Sequence, residues 1–84
     1  MHKFSLVIPI YNEQKNIESL YNEIISSNSY DYLNNIIFVD DASIDNSLDI
    51  LNKISEKNEI VTILQHDNNM GQSRSIKTAL EFSD

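Results

Sequence analysis

Three short apolar segments, each followed by polar residues and then by an amphipathic segment, are the feature that most constrains the fold of this chain. The apolar segments cover residues 4–10, 36–39 and 60–64. Each is bounded by turn-forming residues and rich in β-branched side chains, which predicts buried strands. Strands that alternate with helices of this length indicate a parallel sheet with right-handed crossovers. The order β-α-β-α-β-α therefore predicts an α/β fold with three layers.

The first amphipathic segment carries apolar residues at the spacing of a helix with one buried face. Its stripe consists of Ile17, Leu20, Tyr21, Ile24 and Ile25. Asn12 is the predicted N-cap, because a side-chain oxygen there would accept a hydrogen bond from a free helical N–H. Glu13 would then lie near the positive end of the helix dipole. The first helix is therefore expected to begin close behind the first strand.

The second and third helices are predicted over residues 46–57 and 72–82. Asp45 or Asn46 is the natural N-cap of the second helix, and Gly71, the only Gly of the chain, opens the third. The expected inner face of the second helix consists of Ile44, Leu48, Leu51 and Ile54, with Ile50 beside them. The expected inner face of the third consists of Ile76, Ala79 and Leu80, with Phe82 at its end.

Polar residues follow all three predicted strands, starting at Tyr11, Asp40 and Gln65. The carboxyl ends of parallel strands meet at one edge of a sheet, and ligands of open α/β sheets bind there. Asp40 and Asp41 therefore bring an acidic pair to the expected ligand edge. The turn after the first strand contains no Gly, which excludes both the dinucleotide fingerprint and the P-loop. What remains is a nucleotide or metal site built from side chains.

The composition excludes several classes of function. With 13 acidic and 6 basic residues the formal net charge is -7, which argues against a general surface for nucleic acids or anionic membranes. The chain of 84 residues allows one small domain or a part of a larger one. It has no Cys, no apolar stretch long enough to span a bilayer and no signal-peptide pattern at its start. The expected location is the cytoplasm, including the cytoplasmic face of the membrane for a full-length protein.

Three motifs at the predicted strand ends resemble those of family-2 glycosyltransferases. The stretch FSLVIPIYNE at 4–13 is similar to the family's apolar strand followed by Ile-Pro-Val-Tyr-Asn-Glu. The stretch IFVDDASIDNS at 37–47 is similar to its second motif, Val-Asp-Asp-Gly-Ser-Thr-Asp-Gly-Thr. The stretch NNMGQS at 68–73 resembles its third motif, Asn-x-Gly followed by small residues. The nearest subgroup is the polyprenyl-phosphate (dolichol-phosphate-like) sugar transferases, because of Gly71-Gln72-Ser73.

The resemblance implies a GT-A fold, of which this chain would be the Rossmann-like nucleotide-binding half. The implied substrate is a nucleotide-diphosphate sugar, a UDP- or GDP-sugar, and no nucleic acid partner is expected. Pro9 and Tyr11 would shape the wall of the base pocket, and Glu13 would approach the base or the ribose. Asp41 would accept a hydrogen bond from an N–H of the base, since a carboxylate can only accept.

Asp40 completes the implied set of nucleotide-sugar-binding residues, although Asp40 and Asp45 are expected mainly to orient the loop. Ala42 departs from the family, which often has Gly there, and Ala tolerates a left-handed backbone poorly. No Asp-x-Asp metal motif occurs in the 84 residues, and the family's catalytic base lies further on. The resemblance thus implies a truncated domain, residues 1–84, without catalytic or metal-binding residues. Its full-length form would use Mg²⁺ or Mn²⁺, in the context of cell-envelope polysaccharide synthesis.

Other interpretations of the same residues stay open at this stage. The acidic pair also fits a solvated turn, or the Mg²⁺ cluster of a receiver- or flavodoxin-like signalling domain, although that fold carries its paired acids after the first strand. A non-catalytic fragment is a further alternative, since an uncovered sheet edge and apolar helix faces favour self-association. Gly71 is expected to meet a backbone requirement rather than to contact a ligand. His66 is expected to be an exposed loop residue.

Overall fold

The computed structural model describes residues 4–83, which form a three-stranded parallel sheet with helices on both faces. The strands are β1 (Phe4–Ile10), β2 (Leu33–Asp40) and β3 (Val61–Gln65), in the spatial order β1-β2-β3. The helices are α1 (Ile17–Ser26), α2 (Ser47–Lys57) and α3 (Gln72–Ser83), with a short 3-10 helix at Tyr30–Tyr32. The predicted α/β fold and its order of elements are confirmed.

The register of the sheet aligns the carboxyl ends of all three strands. Ile10 of β1 lies opposite Asp40 of β2, and Asp40 lies opposite Gln65 of β3. The ladder continues one residue further on both sides. The Asp41 N–H donates to the Ile10 carbonyl at 2.8 Å. The His66 N–H donates to the Asp40 carbonyl at 2.9 Å. The polar residues after the strands therefore lie at one edge, as predicted.

Alternate residues of β2 face opposite sides of the sheet and build two apolar clusters. Ile36 and Phe38 face α1 and α2. The other buried members of that cluster are Ile10, Ile17, Leu51, Ile54 and Val61. Ile37 and Val39 face α3 and pack with Ala79. Because β2 is covered on both faces, its sequence is a continuous apolar run rather than an alternating one, and the predicted three layers are confirmed.

The start of α1 differs from the prediction. The helix begins at Ile17, and Asn16 rather than Asn12 occupies the N-cap position. Asn12 adopts a left-handed backbone with a φ of 51°, which Asn tolerates better than most residues. Its side chain binds the neighbouring loop instead, because Asn12 Oδ1 accepts a hydrogen bond from the Ile44 N–H at 2.9 Å.

The predicted inner face of α2 is correct for Leu51 and Ile54 and wrong for Ile44. Leu51 and Ile54 are buried, whereas Ile44 is 88% exposed. The helix begins at Ser47, so Ile44 lies in the preceding turn, where the helical periodicity does not apply.

The predicted inner face of α3 is correct for Ala79 alone. Ser75 and Ala79 are fully buried, and the exposed apolar residues are Ile76, Leu80 and Phe82. Small side chains on the inner face let α3 lie close to the sheet, so its larger apolar residues are placed beside the contact rather than in it. Within residues 4–83, no helix has both the length and the apolar character needed to cross a membrane.

Candidate functional site

A cleft of about 330 Å³ lies at the carboxyl edge of the sheet, between the ends of β1 and β2 and the first turn of α3. Its lining residues are Pro9, Ile10, Tyr11, Glu13, Asp41, Gln72 and Ser75. The structure thus brings together all the residues implied to bind a nucleotide sugar except Asp40. None of these described lining residues is Lys or Arg, and two are carboxylates. The cleft therefore suits a group that donates hydrogen bonds and carries no negative charge.

Asp41 lines the cleft and is buried, with 4% of its surface exposed. Its Oδ1 accepts a hydrogen bond from the Met70 N–H at 2.8 Å and lies 2.8 Å from His66 Nδ1. Its Oδ2 accepts a hydrogen bond from the Gly71 N–H at 2.8 Å. A carboxylate offers about four acceptor positions. The protein fills three of them, which leaves one acceptor position, on Oδ2, without a partner in the described structure.

Burial and hydrogen bonding act in opposite directions on the pKa of Asp41. Burial raises it, because removal from water disfavours the charged form. The hydrogen bonds from His66, Met70 and Gly71 and the attraction of the His66 ring outweigh burial, so the pKa lies below its ordinary value. Asp41 is therefore ionised at neutral pH and can only accept hydrogen bonds.

The prediction that His66 is an exposed loop residue is wrong. The residue is 8% exposed, with Nδ1 2.8 Å from Asp41 Oδ1 and Nε2 2.8 Å from Thr78 Oγ1 in α3. Because the ionised Oδ1 can only accept, Nδ1 must carry the proton. We refer to Asp41, His66, Met70, Gly71 and Thr78 together as the carboxylate cluster.

A sequence signal for this contact existed. Asp41 and His66 each lie two residues beyond a predicted strand, at 36–39 and 60–64. Those two strands are neighbours and parallel, so the two side chains come level with each other at the sheet edge. Counting the register from the strand ends would have paired them.

Asp40 lies on the opposite side of β2, on the face of Ile36 and Phe38, because side chains alternate along a strand. It is 1% exposed and does not line the cleft. Its Oδ2 accepts a hydrogen bond from the Ser43 N–H at 3.3 Å. Its Oδ1 has no hydrogen-bond partner among the described residues. The Ser43 contact is of the kind expected for a residue that orients the loop, and contact of Asp40 with a ligand stays a prediction.

The loops after β1 and β2 are held together by hydrogen bonds between side chains of one loop and the backbone of the other. The N–H donors and their acceptors are Asn12 to Ser43 Oγ, Ile44 to Asn12 Oδ1, Glu13 to Ser47 Oγ, Gln14 to Asp45 Oδ2 and Asn46 to Gln14 Oε1, at 2.8–3.3 Å. We call these residues, 12–14 and 43–47, the loop junction. Each loop both donates and accepts, so the junction fixes the position of Tyr11 and Glu13 at the cleft.

Asp45 stabilises the start of α2 from outside the helix. The N-cap position belongs to Asn46, whose side chain makes no capping hydrogen bond. Asp45 Oδ1 instead accepts from the Ser47 N–H at 2.9 Å. Partial burial raises the pKa of Asp45, but the hydrogen bonds from Ser47 and Gln14 lower it more, so it lies below its ordinary value. The loop junction is therefore formed with an ionised Asp45.

Two further residues of this edge have left-handed backbones. Ala42 has a φ of 61° and Gly71 a φ of 88°. A Cβ at Gly71 would meet nothing within 4 Å, so the position requires Gly for its backbone angle and not for space. The prediction of a backbone requirement at Gly71 is confirmed. Ala42 adopts the conformation that Gly would adopt more easily, at a cost in conformational energy.

The described residues do not fit a divalent metal by themselves. Within residues 4–83, no group of three or more His, Cys, Asp and Glu side chains is arranged so that it could hold a metal ion. Glu13 and Asp41 line the same cleft, but most acceptor positions of Asp41 are filled by the protein. A divalent metal stays an expectation for the full-length protein.

Comparison with known proteins identifies relatives that match most or all of the chain. Residues 5–84 match the sequence profile described as Glycosyl transferase family 2. A poly(ribitol-phosphate) beta-glucosyltransferase of Bacillus spizizenii is 41% identical over 73 residues, which cover 82% of this chain and 11% of that protein. An undecaprenyl-phosphate 4-deoxy-4-formamido-L-arabinose transferase of Proteus mirabilis is 32% identical over 87 residues, which cover 100% of this chain and 26% of that protein. The chain thus spans about a quarter or less of the length of these relatives.

A solved structure has the same fold. It is a mannosyltransferase of Pyrobaculum calidifontis, described as a complex with GDP-Man and Mn2+. The two structures superpose with a TM-score of 0.82 at 22% sequence identity, over 95% of this chain and 24% of the mannosyltransferase. The architecture of residues 4–83 therefore recurs within a larger GT-A enzyme.

Proposed function

Because the chain belongs to glycosyl transferase family 2, we propose that its cleft binds the nucleotide of a nucleotide-diphosphate sugar. The observation that carries the proposal is the state of Asp41, which is buried, ionised and left with one free acceptor position on Oδ2. Uracil and guanine each present a ring N–H that would fill this position. Pro9 and Tyr11, which line the same cleft, would form the wall against which the base lies.

The charges of the cleft favour the base and the ribose over the diphosphate. Glu13 and Asp41 both line it and would repel a phosphate group at short range. Ring N–H groups and ribose hydroxyls, in contrast, donate hydrogen bonds to carboxylates. We therefore propose that the diphosphate and the sugar lie outside this cleft, beyond Glu13 and Gln72.

For the whole protein we propose sugar transfer from a UDP- or GDP-sugar, with a downstream carboxylate as the base that deprotonates the acceptor. Mg²⁺ or Mn²⁺ is the expected cofactor. The mannosyltransferase structure, which is described as a complex with GDP-Man and Mn2+, supports this expectation. The names of the relatives, which contain poly(ribitol-phosphate) and undecaprenyl-phosphate, support an acceptor of the cell envelope. Residues 1–84 alone are expected to bind the donor nucleotide and not to transfer sugar.

Family membership removes the alternative of a receiver- or flavodoxin-like signalling domain. Self-association stays a prediction, as does the cytoplasmic location. Exposed apolar side chains of the kind that favour association are Phe4, Ile76, Leu80 and Phe82. A monomer in static light scattering at millimolar concentration would contradict self-association.

Calorimetric titration of the full chain with UDP and GDP, each with and without Mn²⁺, tests the proposed nucleotide site. The nucleotide that binds is then compared with its ring-methylated analogue, 3-methyl-UDP or 1-methyl-GDP. Methylation removes the N–H that Asp41 would accept, so affinity is expected to fall about tenfold or more, the equivalent of about 1.4 kcal/mol. This comparison needs no variant and is independent of protein stability. A folded chain that binds neither nucleotide, or binds the methylated form equally well, would overturn the proposal.

A matched pair of variants tests the wall of the cleft. Tyr11 is 46% exposed and lines the cleft, whereas Tyr32 is 43% exposed and lies in the 3-10 helix away from it. Tyr11→Ala is expected to weaken nucleotide binding about tenfold, because stacking on an aromatic ring contributes about 1–3 kcal/mol per base. Tyr32→Ala is expected to leave the affinity unchanged. Equal effects of the two substitutions would place the base elsewhere.

A further inference from the structure

We propose that His66 is a positioning residue for nucleotide recognition, which holds the Asp41 carboxylate so that Oδ2 is the oxygen presented to the base. The inference rests on the proposed function of the cleft. It adds a residue that does not line the cleft and acts on the ligand only through Asp41. Its role is to decide which oxygen of Asp41 remains free and in which direction it points.

The hydrogen bonds of Asp41 divide unequally between its two oxygens. Oδ1 has two partners, His66 Nδ1 and the Met70 N–H, whereas Oδ2 has only the Gly71 N–H. The Met70 and Gly71 donors both belong to the backbone of the loop before α3. His66 is the one side-chain donor that the described structure gives to this carboxylate. His66 follows β3, the strand next to β2, so its donor comes from a different part of the fold than the two loop donors. This additional hydrogen bond restricts rotation of the carboxylate.

The ring of His66 is itself held at its other end. Nε2 lies 2.8 Å from Thr78 Oγ1, and Thr78 belongs to the second turn of α3. With the proton on Nδ1, the Thr78 hydroxyl can donate to a neutral Nε2, so each group in the chain Thr78, His66, Asp41 has a partner. The main-chain N–H of His66 is also fixed, by the Asp40 carbonyl at 2.9 Å. A side chain that is buried and bonded at both nitrogens has little freedom, which is what a positioning residue requires.

The position of Asp41 therefore depends on β3 and α3 as well as on β2. Without the Nδ1 donor, Oδ1 would keep only the Met70 N–H, and the carboxylate could turn toward the cleft with either oxygen. The base would then meet a carboxylate of variable direction, and the preference for a correctly placed N–H would decrease. The loss would appear in ligand selectivity rather than in stability alone.

Two amide substitutions at position 66 separate the two nitrogens of the ring. In His66→Asn the amide nitrogen can take the place of Nδ1 and donate to Asp41 Oδ1, but nothing replaces Nε2. In His66→Gln the amide lies near the place of Nε2 and can bond Thr78, but the donor to Asp41 is lost. Neither variant changes the number of acidic residues. Both remove one of two hydrogen bonds from the same buried site, so they are matched in expected stability and differ in the bond that concerns Asp41.

The measurement is calorimetric titration of the full chain and both variants with UDP, GDP and their ring-methylated analogues, alongside thermal unfolding. We expect His66→Asn to bind within about threefold of the wild type and to retain its preference over the methylated nucleotide. We expect His66→Gln to bind about tenfold more weakly and to lose most of that preference, at a similar unfolding temperature. Equal affinity and preference in the two variants would overturn the inference while leaving the nucleotide site intact. A wild type that binds no nucleotide would overturn the proposed function, and this inference with it.

Discussion

The loop junction and the carboxylate cluster lie at the same edge of one sheet and are built in opposite ways. The junction spreads several hydrogen bonds over residues 12–14 and 43–47, most of them at exposed or half-buried positions. The cluster directs its hydrogen bonds onto one buried carboxylate, that of Asp41. The junction is therefore redundant, whereas the cluster depends on a single side chain.

This difference shows that the loop junction and the carboxylate cluster, although both are polar, have different structural roles. At the junction, a lost hydrogen bond can be replaced by one to a neighbouring polar side chain or to water. Removal of one side chain is therefore expected to cost little stability. A buried carboxylate has no such substitute, because each donor around it would be left unpaired. The concentrated arrangement is the one that leaves a defined acceptor position, on Asp41 Oδ2, without a partner in the described structure. Five changes, from the largest expected effect to the smallest, would sharpen or break this comparison.

Asp41→Asn is expected to have the largest effect on stability. The amide keeps the volume of the carboxylate but places an N–H₂ group against one of three donors, from His66, Met70 and Gly71. Leaving a buried donor unpaired costs about 1–3 kcal/mol, and more where its lost partner carried a charge. We expect a loss of about 3 kcal/mol in urea unfolding monitored by circular dichroism. Asp67→Asn, at an exposed acid of the next loop, is the control, and a similar loss there would contradict the comparison.

Acidification is expected to weaken the cluster and the junction together. The pKa values of Asp41 and Asp45 lie below their ordinary value of 3.8 in the folded chain. The unfolded chain therefore takes up protons first, so the stability that these groups provide is complete above about pH 4 and is lost as the pH falls below 3.8 through the folded values. Unfolding free energies measured between pH 6 and pH 2.5 check this. Asp45→Asn should reduce the slope below pH 4, and an unchanged slope would exclude Asp45 as a contributor.

Gly71→Ala is expected to destabilise the cluster through its backbone. The added Cβ meets no atom within 4 Å, so the cost is that of a left-handed Ala, about 1–2 kcal/mol. Gly71→Asn should cost less, because Asn tolerates this conformation better. Chemical unfolding of the two variants checks the order. A larger loss for Asn than for Ala would show that space, rather than the backbone angle, limits this position.

Ser47→Ala is expected to cost about 1 kcal/mol, because the fully buried Ser47 Oγ accepts the Glu13 N–H at 2.9 Å. Ser43→Ala removes the equivalent bond to the Asn12 N–H at an exposed position. Water can replace it there, so we expect a loss of about 0.5 kcal/mol or less. Urea unfolding of both variants and of the double variant tests the redundancy of the junction. A loss of several kcal/mol from either single change would show that the junction is not redundant.

Ala42→Gly is expected to stabilise the chain slightly. It relieves the strain of a left-handed Ala at a φ of 61°, but it also makes the unfolded chain more flexible. The two effects leave a net gain of about 0.5 kcal/mol. A rise of a few degrees in unfolding temperature would be the observation. A lower unfolding temperature would mean that the Cβ of Ala42 contributes packing that outweighs the strain.

Most of the fold could be predicted from the sequence, because strand burial leaves a direct trace in it. The continuous apolar run at 36–39 reflects a strand covered on both faces, and the polar residues behind each strand mark the shared edge. The predicted inner faces of the helices are wrong where side-chain size or tertiary contacts override the helical periodicity of apolar residues. Small residues such as Ser75 and Ala79 form the inner face of α3, whereas Leu80 of the same helix is exposed.

The sequence predicted part of the lining of the cleft but not the residues that hold Asp41 in place. The motifs that resemble the family named Pro9, Tyr11, Glu13 and Asp41, and the structure places all four at one cleft. Motifs did not reveal His66, because a His in a polar stretch after a strand resembles any solvated turn. Its burial results from the register between two strands, which is a property of the folded sheet and not of local sequence.

The cleft is lined by residues from all three strand-and-helix units, among them Tyr11 from the first, Asp41 from the second and Gln72 from the third. No single unit, nor any pair, contains the complete lining. A nucleotide bound there, as we propose, would lose part of its site when any unit detaches, so its binding free energy would add to the stability of the chain as a whole. The proposed ligand binding would thus be linked to cooperative unfolding by the geometry of the sheet edge.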